Sequence, residues 1–577
     1  MTVERVIKEA ISSSLDKINL SGIDFDLDSG NSIQGHGDYA TNVALVAFSQ
    51  NKSYPEAKTP LELAEVIAKT LEKNFSGKET VDKIEVAPPG FINFYLSERF
   101  YKKLLVKVIN KGDDFGRQII GRGKTVVIDY SAPNIAKPFG VGHLRSTIIG
   151  QALYNIFAFL GYRAVGDNHL GDWGTQFGVL LHQIDQQKID PKKLTMEDLE
   201  KLYVDFYQKL GQEPRLQEKA RSYFKRLELG EQKLKNIWRD LVNLSLFEYQ
   251  KVYSLLKVNI DFSLGESFYQ DKMKAVLDEA KNKNLVIKSK GALIMPLEDS
   301  PVPAMLVKSD GATTYLLRDL ATIKYRVERW NPELIIYEVG ADHKLHFTQT
   351  FEAAEKLDYI KRERLVHVAH GMIRGRLGKL STRGGRIIHL GKVLKEAIDR
   401  ARQLSTQAGI AKDLPIKGQE KVARVVGIGA VKYNDLKQNP RTNIVFDWQK
   451  ILTLEGNSGP YLQYTYARAR RVLEKSGTDT NLTKIPEYQP KREELAITRL
   501  ICYFEKVINE SARTFSPNLI ANLLYQLAQN YNTFYNQHQI LTKNKEAKAF
   551  RLLLSKATAQ VLKNGLGLLG IEAPEKM

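Results

Sequence analysis

Apolar and polar positions divide the chain into stretches with different periods. Residues 125–131 (TVVIDYS) form the continuous apolar run of a buried parallel strand. From His143 to Tyr162, the residues Leu144, Ile148, Ile149, Leu153, Ile156, Phe157 and Leu160 recur at three- and four-residue spacings, which predicts a helix with one face on a sheet. Strand-like runs return at 285–288, 304–307, 334–337 and 365–368 with helical stretches between them, the alternation of a parallel α/β sheet. Residues 186–282, rich in Lys, Glu, Gln and Leu, predict a helical insertion. Residues 1–112 read as a small α+β unit closing on the alternating segment 86–96. Beyond about 391 the chain reads as almost wholly helical, with Gly565, Gly567 and Gly570 as stops. The expected architecture is multidomain α/β. It comprises an N-terminal α+β domain (1–112), a Rossmann-like parallel-sheet domain with its insertion (113–455), and an all-α domain (456–577).

Composition narrows the class. At 577 residues the chain is too long for one core, and 43% hydrophobic with 26% charged residues excludes a disordered or fibrous design. Lys and Arg outnumber Asp and Glu by 85 to 66, a formal charge of +19 that favours a polyanionic partner. The single cysteine, Cys502, excludes an intrachain disulfide and a cysteine-rich zinc site. The N-terminal residues lack the apolar core of a signal peptide, and no run approaches the roughly 18 apolar residues of a membrane span. A cytoplasmic protein, or one of an organelle matrix, with no membrane partner is expected.

Residues 136–146 (AKPFGVGHLRS) lie where a buried strand ends and a helix begins, the place where open parallel sheets bind ligands. Gly140 and Gly142 allow a phosphate or an adenine to approach the backbone, and the helix start adds partial positive charge. Residues 378–385 (GKLSTRGG) form a basic loop with Lys379 and Arg383 among small residues. Taken singly, the first segment is a tight turn and the second a solvated basic turn. Together, in this order with an α/β sheet between them, they resemble the paired HIGH and KMSKS motifs of class I aminoacyl-tRNA synthetases. Residues 131–150 and 168–178 narrow the resemblance to the arginyl-tRNA synthetases, with supporting blocks at 35–45, 86–96, 310–321, 455–468 and 564–577.

The resemblance implies ATP-dependent activation of L-arginine to arginyl-adenylate and its transfer to the 3' end of tRNA-Arg. ATP would enter as its Mg2+ complex, with no protein-bound zinc or organic cofactor. Catalysis of this kind is mainly positioning and charge stabilisation. By position, His143 matches the second histidine of HIGH, and Lys379 and Arg383 match the cations of KMSKS. Two departures stand out. Gly140 occupies the place of the leading histidine of HIGH, and Thr382 that of the second lysine of KMSKS, for which Lys137 is expected to compensate as a catalytic cation. Gly140, Gly142, His143 and Ser381 are the implied ATP contacts. Tyr315 and Asp319, one helical turn apart, would meet the guanidinium, a planar group that calls for a carboxylate partner. Asp129, Asn134, His143 and His343 complete the implied arginine set, His343 standing where glutamine is usual. Competing readings are a class I synthetase for another amino acid and an RNA-binding paralogue without catalysis.

Residues 456–577 hold 17 Lys and Arg against 10 Asp and Glu, with eight tyrosines. Cations meet phosphates and aromatic faces stack on unpaired bases, although a helical bundle also buries tyrosines. The segment resembles the family's anticodon-binding domain, and residues 1–112 its tRNA-contacting added domain. Tyr39, Asn42, Tyr461, Tyr531 and Met577 are the expected tRNA contacts, and a monomer is expected.

Overall fold

The computed structural model describes residues 3–29, 37–50, 54–55, 57–75, 79–375, 378–379, 388–407, 409, 411–477 and 486–577, with backbone alone for 375, 378 and 379. The sequence-derived candidates Ser381 and Arg383 lie outside the described residues, as do Thr382 and the side chain of Lys379.

The N-terminal unit is an antiparallel sheet in the order Leu27–Ser29, Tyr39–Thr41, Phe91–Leu96, Val81–Ala87. The helices Val3–Lys17 and Pro60–Phe75 lay Ile7, Ile11, Ile67 and Leu71 against Phe94 in one core. The central sheet is parallel throughout, in the order Leu365–His370, Leu334–Gly340, Thr125–Asp129, Arg163–Asp167. The chain moves outward to one side of Thr125–Asp129 with its second strand and to the other side with its third. The strand order therefore reverses between Thr125–Asp129 and Leu334–Gly340, and the crevice at their carboxyl ends is where such sheets take ligands.

Two expected parallel strands are not in this sheet. Residues 285–288 and 304–307 fall in a separate antiparallel sheet of Ile287–Ser289, Ala292–Met295 and Ala304–Val307. Lys290 and Gly291 both take positive φ, 46° and 83°, and so close a two-residue hairpin. One face stays in solvent, with Ile287 and Met305 exposed, so the apolar runs did not mark two-sided burial. A further strand, Ile444–Phe446, interrupts the helical region and pairs in parallel with Ile373–Gly375.

The helix Leu144–Phe159 was expected to bury one face. It buries nearly all of its surface, because the sheet covers one side and the C-terminal helices the other. One apolar core runs from Val126 and Ile148 to Leu524, Leu553 and Leu566. The Phe115 and Phe504 rings stack at 6.0 Å, and Asn564 Nδ2 donates to the Gly112 and Phe115 carbonyls at 3.0 Å each. Buried Lys432 donates to the carbonyls of Leu256 and Gly570, so the insertion and the C-terminal segment meet on one ammonium.

Candidate active site

The chain leaves Thr125–Asp129 through a loop with three non-glycine residues at positive φ: Ser131 at 75°, Ala132 at 41° and Ala136 at 62°. Such conformations cost on the order of 1–3 kcal/mol each and persist only where surroundings impose them. Here the insertion helix Gln232–Leu256 does so. Ser245 Oγ accepts from Ala136 N at 3.0 Å, Tyr249 OH donates to the Asn134 and Lys137 carbonyls at 2.7 and 2.6 Å, and Tyr253 OH lies 2.8 Å from Ser131 Oγ. Asn168 Oδ1 accepts from Ala132 N at 2.9 Å from the adjacent strand end. Held this way, the loop delivers Lys137 and then the 3-10 turn Val141–His143 to the crevice.

Burial weakens the hold of both groups on a proton. It lowers the Lys137 ammonium from its ordinary value and pushes His143 down to about 4, with the Lys137 and His370 charges adding to the fall and a hydrogen bond to the Gly140 backbone opposing it. His143 Nδ1 is buried with no partner among the described residues. Gly142 is exposed and has open space where a Cβ would stand, so its backbone can be approached closely.

Residues 388–390, further along the chain than the basic loop, lie beside this turn. Val141 N donates to Ile388 O at 2.9 Å, Leu390 N donates to Phe139 O at 2.8 Å, and Gly140 bridges His389. At the start of the basic loop, Gly378–Lys379 pairs antiparallel with Ile373–Gly375. Arg145, just past the turn, donates to the carbonyls of Gly371 and Thr442 at 2.9 and 2.5 Å and pairs with Asp435 at 3.0 Å. Two segments more than 200 residues apart are therefore joined main chain to main chain.

Beside the loop of residues 131–137, where Asn134 bridges Gly171, lies an acidic pocket. Asp319, on the helix Tyr315–Trp330, has Oδ2 2.5 Å from His346 Nε2 and Oδ1 3.8 Å from His169 Nε2. Burial alone would raise Asp319, but the His346 bond outweighs it and holds the carboxyl below its usual range; His346 is correspondingly raised. Glu266 pairs with Arg318 at 2.9 Å and is pushed up to about 7 by burial, with Asp319 and Asp172 adding repulsion. Burial also raises Asp172, although Ser267 donates to it twice, at 2.8 and 2.6 Å. Three carboxylates thus lie close together, with Arg318 paired to Glu266 and the Arg326 charge felt at Asp319.

The other expected arginine contacts divide. Tyr315 is 66% exposed with the Arg318 guanidinium 5.3 Å from its ring, Asn134 is exposed at the loop, and His343 is exposed at the turn after Leu334–Gly340. Asp129 is buried, with Oδ2 2.7 Å from Arg326, which also binds Asp167 at 2.8 Å. Its carboxylate is engaged in tying two strand ends together. Glu266, His169, His346 and His370 were missed by the sequence reading. Only the block 168–178 pointed to His169, and the others carry no local pattern.

Of the expected RNA contacts, two need correction. Tyr531 is fully buried among Phe534 and its neighbours, and Tyr39 is 2% exposed with its ring edge-on to Tyr503 at 6.2 Å. Both are core residues. Met577 packs partly buried beside Val422, and Asn42 and Tyr461 are half-buried. Arg468 instead lies 4.8 Å from the rings of both Tyr464 and Tyr535, the latter 38% exposed, making an aromatic and cationic surface patch. Among the described residues no helix is long and apolar enough to cross a membrane.

Comparison with known proteins agrees with this geometry. Residues 105–448 match the family described as tRNA synthetases class I (R), catalytic domain; residues 462–577 match the DALR anticodon binding domain; residues 3–96 match the arginyl tRNA synthetase N terminal domain. The arginine–tRNA ligase of Halothermothrix orenii is 39% identical over 90% of this chain and 91% of its own. That of Clostridium beijerinckii is 38% identical over 90% and 91%. The arginyl-tRNA synthetase structure from Plasmodium falciparum superposes with a TM-score of 0.83 at 26% identity, covering 100% of both chains. The one from Thermus thermophilus also reaches 0.83, over 100% of both chains at 24% identity, a likeness of fold. The chain belongs to the arginyl-tRNA synthetase family.

Proposed function

We propose that this crevice activates L-arginine with ATP to form arginyl-adenylate and passes the arginyl group to the 3' end of tRNA-Arg, releasing pyrophosphate and then AMP. The observation that carries the reading is the main-chain junction of Phe139–Val141 with Ile388–Leu390 together with the acidic pocket of Asp319 and Glu266. A cationic turn and an anionic pocket at one crevice suit a polyanionic nucleotide beside a cationic amino acid.

In this reading Lys137, His143, Lys379 and Arg383 surround the phosphates with Mg2+, while Gly140, Gly142 and Ser381 bring backbone and hydroxyl donors to ATP. Charge develops on the phosphates as the arginine carboxylate attacks, and fixed cations favour that state over the ground state. Asp319 and Glu266 receive the guanidinium and Tyr315 covers it. Asn134 and His143 meet the amino acid's polar end, with His343 at the rim. Asp129 acts through Arg326 by positioning the strand ends. Lysine is refused because its ammonium cannot span two carboxylates in a planar fork.

The tRNA is held along the basic C-terminal domain, where Arg468, Tyr464, Tyr535 and Tyr461 offer phosphate and base contacts, with Asn42 and Met577 as further contacts. The enzyme works as a cytoplasmic monomer. Arginine-dependent exchange of pyrophosphate into ATP, measured with and without tRNA-Arg, tests the proposal. Exchange requiring arginine supports it, and its absence under both conditions would leave an RNA-binding paralogue without catalysis.

A further inference from the structure

Gly140 leaves the first motif without a donor that its pattern calls for, and the opposite wall of the crevice holds an uncommitted one. His370 ends the strand Leu365–His370 and pairs in register with Gly340, the last residue of the neighbouring strand on the reversal side of the sheet. Its Nδ1 lies 3.1 Å from both oxygens of Glu338, whose side chain is fully buried. A carboxylate accepts only, so Nδ1 carries a proton and Nε2 is the nitrogen left for a ligand. A Cβ built on Gly340 would lie 3.8 Å from Nε2, which places that nitrogen over the glycine at the strand's mouth. Nε2 has no hydrogen-bond partner among the described residues.

The surrounding charges favour the doubly protonated ring. Arg145 and Asp435 pair at 3.0 Å behind it and cancel, which leaves the buried Glu338 charge to be balanced. Burial alone would lower His370, but Glu338 and Asp435 outweigh burial and the Arg145 charge, so the imidazole is raised above its ordinary value. Lys137 and His143 face the same space from the first-motif loop, and the His370 charge is felt at His143. Ser146 Oγ donates to the Glu338 carbonyl at 2.7 Å, which locks the first-motif helix to this strand. The two walls therefore keep a fixed separation.

We propose that His370 is a catalytic residue, its Nε2–H donating to the phosphate chain of ATP from the strand side and supplying the donor that Gly140 does not. Glu338 is its positioning residue, fixing the tautomer and the charge. This rests on the reading of the crevice as an ATP site.

The test uses the full-length enzyme. In pyrophosphate exchange with arginine and tRNA saturating, His370→Phe is expected to lower kcat/KM for ATP about a hundredfold, the cost of one lost donor to a developing anion. The KM for arginine, the Kd for tRNA and the unfolding temperature should hold. His370→Gln, which keeps an N–H but not the charge, should recover part of the loss. Gly140→His in the His370→Phe background should recover more, since φ at Gly140 is −86° and admits a side chain.

The proposal is overturned if His370→Phe keeps its ATP kcat/KM within about twofold of wild type, well short of the loss expected for a missing donor. It is equally overturned if arginine and tRNA binding fall in step with ATP use in both single variants. Should His370→Phe not fold, His370→Gln decides by the same ratio. A wild-type enzyme without arginine-dependent exchange would instead sink the ATP reading itself.

Discussion

The phosphate-facing turn and the arginine-facing pocket handle charge in opposite ways. At the turn, burial lowers both Lys137 and His143, His143 to about 4, and neither has a carboxylate partner among the described residues to oppose the shift. In the pocket, Asp319 is kept charged by a partner already in place, His346. The turn is also held by backbone bonds from another element, whereas the pocket is built of side chains reaching from four segments of the chain. A site for a flexible, highly charged ligand has its main chain fixed in advance. A site that must discriminate one side chain holds its central carboxylate charged through a built-in partner.

The contrast can be broken, the strongest blow first. Asp319→Asn is expected to cost about 4 kcal/mol in kcat/KM for arginine, near a thousandfold, because the guanidinium loses its part-buried counter-charge. The KM for ATP should stay, and an equal rise there would show that the two halves are one electrostatic unit. Arg326→Met should damage both regions together, since it leaves Asp129 and Asp167 buried without their cation. About 3 kcal/mol of stability is expected to go, read from the denaturant midpoint. Lys137→Met should lower kcat of exchange about a hundredfold, roughly 2.7 kcal/mol, while arginine binding measured by calorimetry is unchanged.

The smallest effect is a difference of sign with pH, measured by chemical denaturation. His143 is lowered from 6.5 to about 4, so between those values the unfolded chain binds the extra proton and stability falls as pH falls. His346 is raised above 6.5, so its contribution is complete below that pH and is lost as pH rises through the folded value. His143→Gln should flatten the acid side of the stability profile and His346→Gln the alkaline side. Flattening of the same side by both would erase the distinction.

The sequence carried the turn well and the pocket poorly, for physical reasons. Gly140, Gly142 and His143 are local: a strand end, a tight turn and a helix start leave a contiguous pattern. Glu266, His346 and His370 are single polar residues in ordinary helices or strand ends, and only folding brings them to Asp319 or Glu338. Tyr39 and Tyr531 failed for the converse reason, because composition records that a tyrosine is present and not which way it faces. The runs at 285–288 and 304–307 are apolar but short; the Lys290–Gly291 hairpin pairs the first with Ala292–Met295, and that strand in turn pairs with the second.

The core that runs unbroken from Ile148 to Leu553 and Leu566 means that the anticodon-binding helices are not a detachable module. Shearing the chain near residue 456 would strip the first-motif helix of half its covering and leave Lys432 with one of its two carbonyls. Domain exchange with a distant relative would have to carry matching leucines on both sides of that seam. Specificity for the RNA and competence at the crevice are therefore inherited together.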